Sequence, residues 1–426
     1  MSTSQTAAVP CDIKDLSLAE RGKRRIDWAF QSMTALQTIR KQFIKAQPFA
    51  NIRISACLNI TAETANLMIT LRDAGANSVL CAANPLSTQD DVAASLVKDY
   101  SIPVYAIRGE SAGAYRGHIE TVLDNSPQIT LDDGGELISA LHRDRPEQAS
   151  ALIGGTEETT TGSSRLRALA RDGKLQCPVV AVNDSATKQL FDNCHGTGQS
   201  TLDAILRVTN LLFAGLNVVV LGFGSCGRGI ALRARGLGAS VMITEVDPIR
   251  GLTALMEGFR VASLSEAAAL GDVFITATGN RAVIGREHFE RFKNGAILCN
   301  AGHSNVEIDL ETLSQISSSH RAARESMEEF HLRDGRRIYV LGDGRPINLA
   351  AAEGHPASVM DISFANQALS AEYLLKHRGE LQKNVYRVPA EIDRQIARIK
   401  LESMGVKVDR LTLDQEQYLS NWSEGT

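Results

Sequence analysis

Three glycines punctuate the run Val218-Val219-Val220-Leu221-Gly222-Phe223-Gly224-Ser225-Cys226-Gly227, where an apolar strand turns sharply into a helix. Such a turn is built to hold a dinucleotide. Gly222 permits the tight turn, Gly224 lets backbone N–H groups approach a pyrophosphate at the helix N-terminus, and Gly227 lets the helix pack close to the strand. The next strand, Val241-Met242-Ile243-Thr244, ends in Glu245, 21 residues beyond Gly224. About 20 is the spacing expected of the acid that accepts hydrogen bonds from the adenosine ribose of NAD. The extra phosphate of NADP would meet that carboxylate, so NAD is the expected cofactor. A glycine triplet alone is weak evidence; strand, triplet, helix, strand and terminal acid in order specify a βαβ unit.

At 426 residues and 43% hydrophobic content, the chain has material for two domains by the soft prior of about 150 residues each. The formal net charge is −4, with Lys and Arg scattered among Asp and Glu, so there is no stripe for nucleic acid or anionic lipid. A small-molecule ligand is expected. Cys11, Cys57, Cys81, Cys177, Cys194, Cys226 and Cys299 form no CxxC pair or other metal spacing, and their odd number argues against a secreted disulfide framework. No metal is expected, and a reduced cytoplasm fits. No run approaches the ~18 apolar residues of a membrane helix, and the polar start has no signal-peptide core. Residues 1–11 read as a short disordered tail.

From Asp12 to about Asn183, short apolar runs alternate with helical stretches. Strands are expected at 53–56, 78–81, 104–106, 129–132 and 179–182, with turns at Asp73-Ala74-Gly75-Ala76-Asn77 and Gly134-Gly135. A second alternating unit runs from about Gly198 to Asn348, with strands at 218–221, 241–244, 273–276, 296–299 and 338–341. The fold class is therefore α/β: two doubly wound parallel-sheet, Rossmann-like domains. A helical stretch from Ser358 to Lys376 would pack back on the first domain, and the amphipathic remainder forms a C-terminal helical appendage. Because the chain crosses between domains twice, a hinge is expected there.

Polar residues gather at the expected strand ends, where open α/β sheets place their ligands. They are Asn59, Thr61, Glu63 and Thr64; Asp132 and Asp133; Glu157 to Thr161; and Asn183-Asp184-Ser185 followed by Lys188, Asp192 and Asn193. Taken singly each has a bland reading: Asp-Asp-Gly-Gly as a turn, Glu-Glu-Thr-Thr-Thr as a helix cap, Lys188 with Asp192 as a surface i,i+4 pair. Cys226 and Cys299 read as packing residues, and His195 as a surface histidine.

Together with Asn84-Pro85-Leu86-Ser87-Thr88-Gln89-Asp90-Asp91, Leu131-Asp132-Asp133-Gly134-Gly135, Val182-Asn183-Asp184-Ser185-Ala186-Thr187-Lys188 and Gly354-His355-Pro356, these stretches resemble the S-adenosylhomocysteine hydrolase family from Asp12 to Thr426. The Gly-Thr-Gly-Gln-Ser run at 196–200 and the ending at Thr426 are similar to its compact prokaryotic branch, with the usual Lys/Tyr tail altered. The resemblance implies a tightly held NAD that oxidises a nucleoside 3′-hydroxyl, which acidifies C4′–H and permits elimination at C5′, water addition and return of the hydride. By default the reaction is S-adenosylhomocysteine to adenosine and homocysteine. It further implies that Lys188 and Asp192 face the 3′-hydroxyl, Asp133 is the base for C4′–H, Glu158 holds the sugar hydroxyls and His303 neighbours the 5′ leaving group. Asn59, Thr61, Glu63, Thr64, Thr159 and His355 would hold substrate. Thr159, Thr160, Thr161, Asn193, Gly222, Gly224, Gly227, Glu245, Asn280, Asn300 and Asn348 would hold NAD. Residues 12–185 with 353–385 would be the substrate-binding domain, 198–352 the NAD-binding domain and 386–426 an oligomer contact in a cytoplasmic homotetramer.

Four positions depart from the family pattern. Asn59 stands where histidine is usual, and an amide cannot replace imidazole as an acid or base. Ser304-Asn305 replace Phe-Asp, and Pro346 replaces a leucine of the adenine pocket. Two alternatives therefore stay open: a paralogue that expels hydroxide from a nucleoside, as the related nucleoside 5′-dehydratases of antibiotic pathways do, and a non-catalytic NAD-binding regulator.

Overall fold

The computed structural model describes residues 9–422. In the first half β1 (Arg53–Leu58), β2 (Asn77–Ala82), β3 (Val104–Tyr105), β4 (Ile129–Asp132), β5 (Gly154–Glu157) and β6 (Val179–Ala181) alternate with helices. The second half supplies β7 (Asn217–Leu221), β8 (Ser240–Thr244), β9 (Arg260–Val261), β10 (Val273–Thr276), β11 (Ala296–Asn300), β12 (Ser317–Arg324), β13 (Met327–Leu332) and β14 (Arg337–Leu341). A last strand, β15 (Val385–Arg387), returns to the first sheet. That sheet runs β15-β6-β5-β4-β1-β2-β3 with every pair parallel. The second runs β12-β13-β14-β11-β10-β7-β8-β9, parallel except for the antiparallel pairings of β12, β13 and β14. Strand order reverses once in each, between β4 and β1 and between β10 and β7. Loops leaving such a pair diverge and open a crevice at the C-terminal ends.

All ten expected strands are present, and five more escaped the sequence reading. Two glycines hid β5, and packing explains both. A Cβ on Gly154 would lie 2.8 Å from Leu374 Cδ2, and one on Gly155 would lie 2.6 Å from Thr130 Oγ1. The missing side chains let the helix Ala357–Lys376 press on one face of β5 and the neighbourhood of Ile138 on the other. In β12, Ser-Ser-Ser-His-Arg-Ala-Ala-Arg lacks alternation; it lies exposed and is ordered by pairing with β13. The second sheet is thus mixed at this edge and not wholly parallel.

Of the expected disordered tail 1–11, residues 1–8 lie outside the described residues, but Val9 and Cys11 pack against the first core. The chain then pairs with β3: Asp12 N–H donates to Val104 O at 3.0 Å, and Ala106 N–H donates to Asp12 O at 2.9 Å. His118 clamps this segment through Glu110 Oε2 at 2.6 Å and Asp12 Oδ2 at 3.0 Å. Glu110 lifts the imidazole above the usual histidine value, burial opposes it, and Asp12 adds to the lift. A raised folded-state pKa gives stability that is full below about 6.5 and fades as pH rises through the raised value. Melting curves of the parent and His118→Gln should therefore differ most in mild acid, by roughly 2 °C, and converge in alkali. A gap that widens with pH would contradict the clamp.

Towards its C-terminal end the chain returns to the first sheet. β15 belongs to the first sheet, and the helix Ala390–Ser403 buries Ile396 against it. Lys400 Nζ meets Asp361 Oδ2 at 2.7 Å, and the same carboxylate accepts hydrogen bonds from Ala35 N–H and Leu36 N–H. Beyond Ser403 the chain is exposed, and residues 423–426 lie outside the described residues.

Candidate active site

Both order reversals open into one cavity of about 850 Å³. On the first sheet, Cys57, Asp132 and Glu157 are register partners, so the residues that follow β4 and β5, Asp133 and Glu158, emerge side by side next to Asn59. Asn59 Nδ2 donates to Asp133 Oδ2 at 2.6 Å, and Asn84 Nδ2 donates to Asn59 Oδ1 at 3.3 Å. Asp133 Oδ1 is buried without a hydrogen-bond partner and lies 3.5 Å from His303 Nδ1. Burial raises Asp133 above the usual carboxylate range, against the pull of His303 and Lys188.

Lys188 ends the short helix Ala186–Lys188, which runs into a π-helical turn, Gln189–Gly196. Ser185 Oγ caps it by accepting from Lys188 N–H at 3.1 Å, and Asp393, far off in sequence, accepts from Ala186 N–H at 2.8 Å. The bland reading of Lys188 and Asp192 as a surface pair fails, for both are buried. Lys188 Nζ donates to Asn193 Oδ1 at 2.9 Å and lies 3.3 Å from Asp192 Oδ1 and 3.9 Å from Glu158 Oε1. Asp192 Oδ1 is 3.2 Å from His355 Nδ1, and its Oδ2 accepts from Ser363 Oγ at 2.7 Å. Burial alone would lift Asp192; Lys188, His355 and Ser363 together hold it well below the usual range. Burial likewise works against the Lys188 ammonium, and Asp192 and Glu158 outweigh it. Glu158 differs: burial pushes it up to about 8 despite Lys188, while its Oε2 accepts from Gln367 Nε2 at 2.6 Å.

On the second sheet the glycine turn follows β7. Gly222 has φ +97°, and a Cβ there would lie 2.9 Å from Ala277 O, on the neighbouring strand's loop. On Gly227 it would lie 1.9 Å from Gly222 O. Around Gly224 nothing stands nearer than Arg250 Nη1 at 3.6 Å, so the N-terminus of the helix Ser225–Gly236 faces open space. Glu245 waits at the end of β8, its carboxylate accepting from Phe223, Val246 and Asp247 N–H groups. The donor set and the glycine cradle fit a dinucleotide.

Every site residue expected from the sequence lines this cavity except Glu63, Gly227 and Asn300. Glu63 faces an adjoining cleft of about 680 Å³ that shares His355 and contains Arg25 and Glu353. Gly227 acts one layer back, through helix packing. Asn300, at the end of β11, organises the loop that follows. Its side chain is fully buried and spent on protein, donating to the Gly302, Ser304 and Gly344 carbonyls and accepting from Gly302 N–H and Thr276 Oγ1. Those bonds fold the turn that carries His303.

Two family models match, S-adenosyl-L-homocysteine hydrolase over residues 10–152 and S-adenosyl-L-homocysteine hydrolase, NAD binding domain, over residues 193–354. The chain is 57% identical over 415 residues to the adenosylhomocysteinase of Aquifex aeolicus, covering 97% of this chain and 99% of that protein. It belongs to the S-adenosyl-L-homocysteine hydrolase family. The adenosylhomocysteinases of Gloeobacter violaceus and Thermococcus kodakarensis are 54% and 53% identical, each over 97% of this chain, 97% and 98% of their own lengths. Within this hydrolase-family fold, two of the departures, Asn59 and Pro346, line the cavity, whereas Ser304 and Asn305 do not. Sequence reasoning missed Gln367, Ser363 and Asp393, which act from the C-terminal helices. Their only signal was polarity within amphipathic stretches.

Proposed function

We propose that this chain hydrolyses S-adenosylhomocysteine to adenosine and homocysteine with a resident NAD. The observation that carries the reading is the buried set Lys188, Asp192, Asp133 and Glu158 sharing one cavity with the Gly222-to-Gly227 cradle. The backbone turn at Gly222 and Gly224, with Glu245, Asn280, Asn348, Thr159 to Thr161 and Asn193, would hold NAD. When bound, NAD supplies a hydride acceptor at the sugar's C3′ and returns the hydride when the cycle closes.

Lys188, fixed by Asp192 and Asn193, relays the proton of the 3′-oxygen: it takes that proton as it passes one of its own to Asp192, 3.3 Å away. Glu158 holds a neighbouring sugar hydroxyl by a hydrogen bond. Asp133 takes the C4′ proton on Oδ1, the oxygen left free because Asn59 holds the other, and its burial strengthens it as a base. His303, beside Asp133, is the imidazole available to the 5′ leaving group and to the entering water. Thr61, Thr64 and His355 would hold the nucleoside, with Glu63 at its outer edge.

Residues 12–185 with 353–385 are assigned to nucleoside binding and 198–352 to NAD. A homotetramer is supported by family resemblance and by the exposed apolar face of Val246, Ile249, Leu252 and Met256 together with the exposed Leu413, Leu419 and Trp422. The cytoplasmic reading rests on the cysteine pattern. Among the described residues no helix is long and apolar enough to cross a membrane.

Purified protein should keep NAD through desalting and release homocysteine from S-adenosylhomocysteine in a thiol assay. The competing dehydratase reading turns on Asn59. Conversion of adenosine to a dehydrated nucleoside, with no homocysteine released from S-adenosylhomocysteine, would overturn hydrolysis in its favour. Absence of both products would favour the regulator.

A further inference from the structure

Directly behind the acid/base pair sits a carboxylate that no step above employs. Glu157 is completely buried at the end of β5. We propose that Glu157 is a positioning residue that sets the gap between Asp133 and Glu158 by tying the two loops that carry them to a single oxygen. The proposal rests on the hydrolase reading above.

Glu157 Oε1 accepts from Gly134 N–H at 2.9 Å, from Thr159 N–H at 2.8 Å and from Thr159 Oγ1 at 2.8 Å. Gly134 immediately follows Asp133, and Thr159 immediately follows Glu158, so one atom spans both loops. The reach extends to the imidazole as well. Gly134 has φ +109°, and a Cβ there would lie 2.4 Å from His303 Nε2, so the same backbone seats His303. Room for the carboxylate comes from Gly162, where a Cβ would lie 2.2 Å from Glu157 Cδ.

The second oxygen, Oε2, is buried with no hydrogen-bond partner. Its neighbour across the sheet is Asp132, the register partner of Glu157, whose own carboxylate is spent on Leu137 and Ile138 N–H groups. Two buried carboxyl groups side by side do not both ionise. Burial raises both, Asp132 to about 7 and Glu157 well above its usual value. What Glu157 offers the loops is therefore an acceptor oxygen and not a charge. Lys188 and Asp192, by contrast, are fixed by Ser185, Asn193, Ser363 and His355, none of which touches Glu157. Losing the oxygen should disturb proton abstraction at C4′ and spare oxidation at C3′.

The test uses NAD-loaded protein with adenosine in deuterated buffer, reading nicotinamide absorbance for C3′ oxidation and mass spectrometry for deuterium entering at C4′. Glu157→Ala should lower exchange by about 30-fold or more while oxidation stays within about 3-fold of the parent. Glu157→Gln, which keeps an acceptor oxygen, should stay within about 3-fold in both. If the alanine variant does not fold by circular dichroism and thermal melting, Glu157→Met, similar in bulk but without an acceptor, takes its place. Gly162→Ala, which drives a methyl into the carboxylate, should reproduce the selective loss. Parallel loss of both half-reactions in the acceptor-free variant, undiminished exchange, or equal damage in the glutamine variant would overturn the positioning role. A parent that performs neither half-reaction overturns the hydrolase reading itself, and the proposal with it; the variant-to-parent ratio keeps the two failures distinct.

Discussion

Lys188→Ala should bind nucleoside yet fail to oxidise it, with nicotinamide reduction slowed by about 10²- to 10⁴-fold, the usual loss for a removed acid/base group. The side chain is buried, donates to Asn193 Oδ1 and faces two acids, and a neutral water in its place would not supply the positive charge. Its removal also leaves Asp192 with His355 and Ser363 only, and an uncompensated buried carboxylate costs about 3–5 kcal/mol. A lowered melting temperature should accompany the lost chemistry. Asp133→Asn makes the contrast: oxidation persists, because Lys188 and Asp192 stay where they are, while C4′ exchange falls by a similar factor. Rapid mixing with adenosine, followed at the nicotinamide band and by deuterium uptake, separates the two. Parent-like turnover in both variants would remove these residues from the mechanism.

An equally large effect is expected one layer behind the cavity. Gly227→Ala should yield protein from which NAD is lost on desalting, retaining under about a tenth of the parent's content. The added methyl would lie 1.9 Å from Gly222 O. Backbone on both sides cannot swing away as a side chain can, so the helix Ser225–Gly236 must back off from β7 and take with it the N–H groups aimed at the pyrophosphate. Overpacking of this kind costs about 1–3 kcal/mol before any ligand is considered. Gly236→Ala, at the far end of the same helix with nothing within 4 Å of its Cβ, is the control and should keep both cofactor and stability. Equal NAD content in the two variants, measured from acid-released nucleotide, would refute the packing account.

The cofactor half was legible because its chemistry is local. Gly222, Gly224, Gly227 and Glu245 lie on one strand-helix-strand unit, and steric need for glycine leaves a mark in the residues themselves. Motif resemblance pointed to Asp133, Glu158, Lys188 and Asp192, and the structure shows them buried along one cavity, a burial that periodicity alone could not reveal. Long-range partners stayed hidden. Gln367 and Ser363 sit on a helix whose buried face carries polar residues amid alanine and leucine, with no spacing rule to tie them to positions 158 and 192. Asn300 shows the opposite case: an asparagine at a strand end suits a ligand or a turn equally well, and its role in the turn, five hydrogen bonds to protein, has no mark in the sequence. Gly154 and Gly155 masked β5 because a residue chosen for what it leaves out looks, in sequence, like a break.

The cap that Asp393 places on the Lys188 helix has a temporal side. The glycine turn, Glu245 and Asn348 are all made by residue 348, so a growing chain owns its whole dinucleotide cradle while the last fifth is still to come. The helix under Lys188 waits for residue 393. Synthesis thus runs from cofactor to catalyst, and a chain cut short between those two points has a complete place for the oxidant but an unfinished seat for the lysine that would use it.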